Sequence, residues 1–174
     1  MSKWIAALTA ALLISGICTG CSHKKAGDDS AQSGTTVANG ATSACSKEKG
    51  EHKAVHGGSL NAIMTCENGH AEVKLDGDKL QLWFVGGGPN TDKSVRVPDK
   101  SISVQIKTGN SAKQLVLSPK PLELAGEKVG DCSYFEGTAL WLKNLAKFTA
   151  EGQITFRDKK MPLRIEYPKG YDPD

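Results

Sequence analysis

The chain has 174 residues, with 22 basic and 19 acidic side chains giving a net charge of +3, and 39% of it is hydrophobic. A balance this close to neutral excludes the strong field that nucleic acid or an anionic lipid surface recruits, and no basic stripe with interleaved aromatics compensates. Nucleic acid is therefore not an expected partner.

The first residues have the layout of an export signal: Lys3, an apolar run from Trp4 to Ile17, then Cys18-Thr19-Gly20-Cys21. The run falls short of the roughly 20 residues that a bilayer-spanning helix needs. Lys24 and Lys25 follow at once and end it. A signal followed by a cysteine resembles the bacterial lipobox, in which the thiol receives diacylglycerol and becomes the mature N-terminus. Cys18 follows the bulky Ile17, whereas Cys21 follows the small Thr19 and Gly20, so Cys21 is the expected lipidation site. Cys18 itself stands where that pattern usually has Leu. Acyl chains contribute about 0.8 kcal/mol per buried methylene, which makes two or three of them a permanent membrane anchor. The resemblance implies a cell-envelope address. Ser22 after the lipidated cysteine implies the outer membrane, facing the periplasm, in a cell that has one.

Residues 22–44 are nearly all Ser, Thr, Gly, Ala, Asp, Lys and Asn, and Val37 is their one large apolar residue. Such a stretch buries too little surface to offset its ordering entropy and is expected to be a disordered tether. The predicted organisation is a signal peptide over 1–20, a lipidated N-terminus and flexible linker over 21–55, and one domain over 56–170.

That domain reads as all-β. Leu60, Ala62, Met64 and Cys66 alternate with Asn61, Ile63, Thr65 and Glu67, and Asn68-Gly69 is a strong two-residue turn signal. Folding there pairs Cys66 with Ala71, Met64 with Val73 and Ala62 with Leu75. A second turn at Gly77-Asp78 pairs Leu75 with Leu80, Val73 with Leu82 and Ala71 with Phe84, selecting the same inward face. Ile102, Val104 and Ile106 continue the alternation, as do Leu115 and Leu117 across a turn at 108–111. Helical spacing predicts two or three turns over Thr138–Phe148 behind a Thr138 cap. Two final strands carry Ala150 to Phe156 and Met161 to Tyr167. About seven strands with one short helix suggest an immunoglobulin-like β-sandwich, with a partly open barrel as the alternative.

The export signal also sets the cysteine chemistry. An oxidising compartment favours a disulfide, and of the cysteines left in the domain Cys66 and Cys132 are the expected pair. Closing a loop of that length is worth about 4 kcal/mol on the chain-entropy model. Cys45 is then left over, or replaces one of them.

His52, His56 and His70 lie close together in sequence, and imidazole and thiolate are the donors that zinc and copper prefer. His52 and His56 would share a helix face, but Gly57-Gly58 argues against a helix there. In the register above Cys66 points inward and His70 outward. His70 then lies opposite Glu67 and Val85, and Glu72 opposite Thr65 and Trp83. With a loosely held His56 nearby, His56, His70 and Glu72 form the candidate metal set, for Zn or Cu; a solvated strand end explains the same residues. No Gly-x-Ser-x-Gly, phosphate loop or His-Glu-x-x-His motif occurs, so no enzyme is expected. Gly86-Gly87-Gly88-Pro89 lacks the Lys-Ser/Thr of a phosphate site and reads as a flexible connection.

His56-Gly57-Gly58, Gly69-His70-Ala71-Glu72-Val73, Leu80 to Phe84, Gly126-Glu127 through Phe135, and Tyr167-Pro168-Lys169-Gly170 together resemble a small exported domain of bacterial lipoproteins. A similar His-Gly-Gly module is found near metal-efflux adaptor proteins. The resemblance implies an all-β binding or accessory domain with an envelope or efflux partner, and it singles out His56, His70 and Glu72.

Overall fold

The computed structural model describes residues 52–173. The export signal, Cys21 and most of the tether lie outside the described residues. Among those described, no helix is long and apolar enough to cross a membrane.

Eight antiparallel strands form one nearly closed sheet: β1 (Ser59–Ile63), β2 (Thr65–Asp76), β3 (Lys79–Val85), β4 (Ile102–Thr108), β5 (Ser111–Pro119), β6 (Tyr134–Thr138), β7 (Phe148–Phe156) and β8 (Lys159–Tyr167). Their spatial order is β1-β2-β3-β6-β5-β4-β7-β8. Two seams join its halves. At one, β5 meets β6 only through Ser118 and Pro119. At the other, Ala62 N donates to Tyr171 O at 2.8 Å, and Asn61 reaches across from β1. Asn61 Oδ1 accepts from Glu166 N at 2.8 Å and Tyr171 N at 3.0 Å, while Nδ2 donates to Ser59 O and Ala71 O. This buried amide thereby uses its full hydrogen-bonding capacity, two donors and two lone pairs.

Alternation of apolar residues fills the interior. Val73, Leu82, Val104, Leu117, Ile154 and Ile165 point inward around Phe84, whose ring meets Phe135 edge-on at 5.8 Å and lies 6.3 Å from Phe156. The hairpin at Gly77-Asp78 has the expected register, with Leu75 opposite Leu80, Val73 opposite Leu82 and Ala71 opposite Phe84.

Three expectations are corrected. The chain does not reverse at Asn68-Gly69; Met64 takes a left-handed conformation at φ 67° and turns it there, so Ile63 faces Thr65. Residues 66–69 then bulge out before pairing resumes at Ala62 and His70. Asn61 rather than Cys66 lies opposite Ala71. All five residues of β1 are buried, so alternation carried no information about which face is inward. The expected helix over 138–148 is absent. Thr138 ends β6, Leu140–Asn144 form a short 3₁₀ turn and Phe148 starts β7. So short a helix is marginal unless one face packs, and here only Leu142 is fully buried. The seven-strand count becomes eight.

Candidate metal centre

Glu72 sits on the outer side of the sheet, opposite Leu60 on β1 and Trp83 on β3. It is nonetheless fully buried, because residues 52–58 cross that face as a strap. Its carboxylate is the fastener. Oε1 accepts from His56 N at 2.7 Å and Gly58 N at 2.9 Å; Oε2 accepts from Val55 N at 3.1 Å and from His56 Nδ1 at 2.9 Å. The His-Gly-Gly sequence makes this convergence sterically feasible. Gly57 is left-handed at φ 73°, and a Cβ on Gly58 would lie 2.5 Å from Val73 O. Farther along the strap, Lys53 N donates to Thr91 Oγ1 at 3.3 Å.

The same fastening aligns three rings. His56 stacks on Trp83 with centroids 4.4 Å apart and planes within 2°, and Trp83 stacks on Tyr134 at 4.8 Å. Burial, then the hydrogen bond to Glu136, raises the Tyr134 phenol to about 12. His56 and Glu72 are therefore brought together, as the sequence suggested, but they hold each other and the strap.

His70 belongs to a different group. It faces Ala62 and Val85 across the sheet rather than Glu67, and it is buried rather than solvated. His52, Cys66 and His70 each offer one ligand atom within 4.8 Å of the others. The His52 and His70 rings meet edge-on at 5.0 Å. Each ligand comes from a different local feature. His52 is carried by the strap, Cys66 by the bulge of β2, and His70 by the point where pairing resumes.

His70 Nδ1 lies 3.1 Å from Gly86 O. Donation to that carbonyl places the proton on Nδ1 and the lone pair on Nε2, which is how metal-bound histidines are usually oriented. Burial lowers the His70 pKa, outweighing the Gly86 hydrogen bond, and His52 lowers it further. The neutral, ligating form is thus favoured. The Gly86-Gly87-Gly88 segment that supplies the carbonyl is buried and tightly packed, not a loose connection. A Cβ on Gly87 would lie 2.1 Å from Glu67 O. Among the described residues, His52 Nδ1 is a buried side-chain nitrogen with no hydrogen-bond partner. Leaving such a group unpaired costs about 1–3 kcal/mol.

The cysteine expectation is corrected as well. Cys132 is a free, buried thiol, so it is not bridged to Cys66. Burial pushes that thiol up, and Sγ instead donates to Tyr134 O at 3.0 Å. Cys66 is disulfide-bonded, with the partner sulfur outside the described residues. Its Sγ also lies 3.4 Å from Asp172 Oδ1, which brings a carboxylate from beyond β8 to the rim of the cluster.

Spacing did not select His52 as a ligand. Its meeting with His70 depends on the strap folding back over β2, and no sequence periodicity encodes that. The clustering of three histidines was the one available signal. Comparison with protein-family models, with curated proteins and with solved structures finds no match.

Proposed function

We propose that the chain is a non-enzymatic, lipid-anchored lipoprotein of the cell envelope whose domain binds a transition-metal ion, zinc or copper, at His52 and His70. The observation that carries this reading is the buried, unpartnered Nδ1 of His52 in a cluster with a second imidazole and a sulfur. A buried polar atom without a partner calls for an ion or a water, and this donor set suits borderline-soft metals. As a cystine sulfur Cys66 is a weak donor, so the two imidazoles hold the ion in the oxidised chain. Reduction adds a thiolate to the set. The Cys21 lipid and the tether place such a site near an envelope or efflux partner, in keeping with the His-Gly-Gly resemblance.

Calorimetric titration of the full-length chain with Zn²⁺ and Cu²⁺ tests the reading. Binding tighter than about 100 μM is expected, weakened at least tenfold by His52→Ala or His70→Ala. Zinc affinity should rise further under a phosphine reductant, which frees the Cys66 thiolate without adding competing thiols. No binding in that range, or binding equal to wild type in both variants, overturns it.

A second reading, a protein-interaction lipoprotein, draws support from the edge of β5. The side of β5 facing β6 is paired only at Ser118 and Pro119, and Leu122 and the fully exposed Leu124 lie just beyond it. A strand edge paired over so short a stretch suits strand addition by a partner.

A further inference from the structure

At one mouth of the barrel, the end of β4 and its turn, the start of β7 and the end of β8 enclose a cleft of about 510 Å³. Its size falls within the usual 300–1,000 Å³ of small-molecule sites. Strand register explains its lining. Phe148 pairs with Tyr167, so both rings project inward at the mouth, where they stack with centroids 5.1 Å apart and planes within 15°. The Phe148 ring is covered, while Tyr167 remains partly open. Around the rings stand Lys107, Lys147 and Lys169, against the single carboxylate of Glu166. Lys107 is paired with Glu151 at 2.8 Å, leaving Lys147 and Lys169 with no ion pair among the described residues. Thr108, on the same face of β4 as the inward Ile106, adds a hydroxyl to the wall.

We infer that this cleft is a binding site for an acidic sugar, separate from the histidine cluster. The apolar face of a pyranose ring lies on Tyr167, its acid group sits between Lys147 and Lys169, and its hydroxyls meet Thr108. Two unpaired ammonium groups select an anion, and an aromatic floor selects a ring with one apolar face. A neutral sugar loses the first interaction, and inorganic phosphate loses the second. The acid is a carboxylate or a phosphate monoester, since lysine recognises either as a point charge.

The test is a titration of the ¹⁵N-labelled full-length chain, followed by amide shifts, with glucuronate, glucose 6-phosphate, glucose and inorganic phosphate. Saturating shifts of Thr108, Gly109 and Thr149 are expected with one or both acidic sugars. Glucose and phosphate should bind at least tenfold more weakly. Whichever acidic sugar binds identifies the acid. Lys147→Glu/Lys169→Glu should weaken binding at least tenfold; both side chains are exposed, so the variant is expected to fold, which its spectrum checks. Tyr167→Leu, which keeps the bulk but not the ring face, should weaken it severalfold. No saturation by either acidic sugar below about 20 mM, equal binding of glucose, or an unchanged affinity in the lysine variant overturns the inference.

Discussion

Glu72 shows how far one side chain can govern a local structure. Three backbone amides and an imidazole converge on its two oxygens inside a buried face. Glutamine keeps the shape but replaces one acceptor oxygen with a donor, turning it against N–H groups that then stay unsatisfied. Glu72→Gln should cost about 3 kcal/mol in urea denaturation, since each stranded donor costs about 1–3 kcal/mol. The amides of Val55, His56 and Gly58 should lose their protection from hydrogen exchange. Protection equal to wild type would show that the strap is held by something else. The pairing of His56 with Glu72 was foreseeable from the sequence, because Glu72 and Trp83 share an outward face in the correctly read second hairpin. The burial of Glu72 was not. Burial depends on the strap, and Gly57-Gly58 was legible only as a helix breaker, not as the clearance that brings backbone onto backbone.

Among the elements, the connection between β5 and β6 shows how a loop is stiffened without regular structure. Glu127 lies buried in it, accepting from Ser133 Oγ at 2.6 Å and from Leu122 N at 3.1 Å, with Arg96 Nε 3.9 Å away. Burial alone would raise its carboxyl, but the Ser133 and Leu122 hydrogen bonds outweigh it and hold the group below its ordinary 4.5. A depressed carboxyl contributes stability that is complete above the unfolded value and is lost as pH falls through the folded one. Glu127→Gln should therefore be less stable than wild type at neutral pH, and the gap should close as pH falls below about 4.5. Urea midpoints measured from pH 3 to 7 check this; a gap that stays constant rules the account out. The same scale exposes the limits of periodicity. Strands β4, β7 and β8 and the Gly77-Asp78 hairpin were readable because each has one wet face. Strand β1 was not, being covered on both sides, and the spacing of Trp141, Leu145 and Phe148 imitated a helix that the chain uses as a turn and a strand start.

For the whole molecule, closure is the decisive property, and Asn61 is its most concentrated expression. Of its four hydrogen bonds, one joins β1 to Ala71 of β2, one to Glu166 of β8 and one to Tyr171 just beyond β8, while the fourth stays within β1 at Ser59. Asn61→Ala leaves the amides of Glu166 and Tyr171 and the carbonyl of Ala71 without those partners. A loss of about 3–5 kcal/mol is expected, with faster exchange at Glu166 and Tyr171. A midpoint shift worth less than about 1 kcal/mol would mean that the seam closes without it. Nothing in a single polar residue amid Leu60, Ala62 and Ile63 announces such a role. An all-β domain was legible from alternation, whereas the eight-stranded order requires knowing which ends meet.

The strap also has a mechanical consequence. Once the Cys66 disulfide is reduced, a pull applied through the chain before His52 reaches the clasp on Glu72 before it reaches β1. The load falls on a few hydrogen bonds gathered at one carboxylate, and their rupture would release the seven residues 52–58. At roughly 3.5 Å per extended residue, that is about 25 Å of slack before any strand of the barrel bears tension. The clasp would thus act as a mechanical fuse, giving way first so that the fold behind it stays intact.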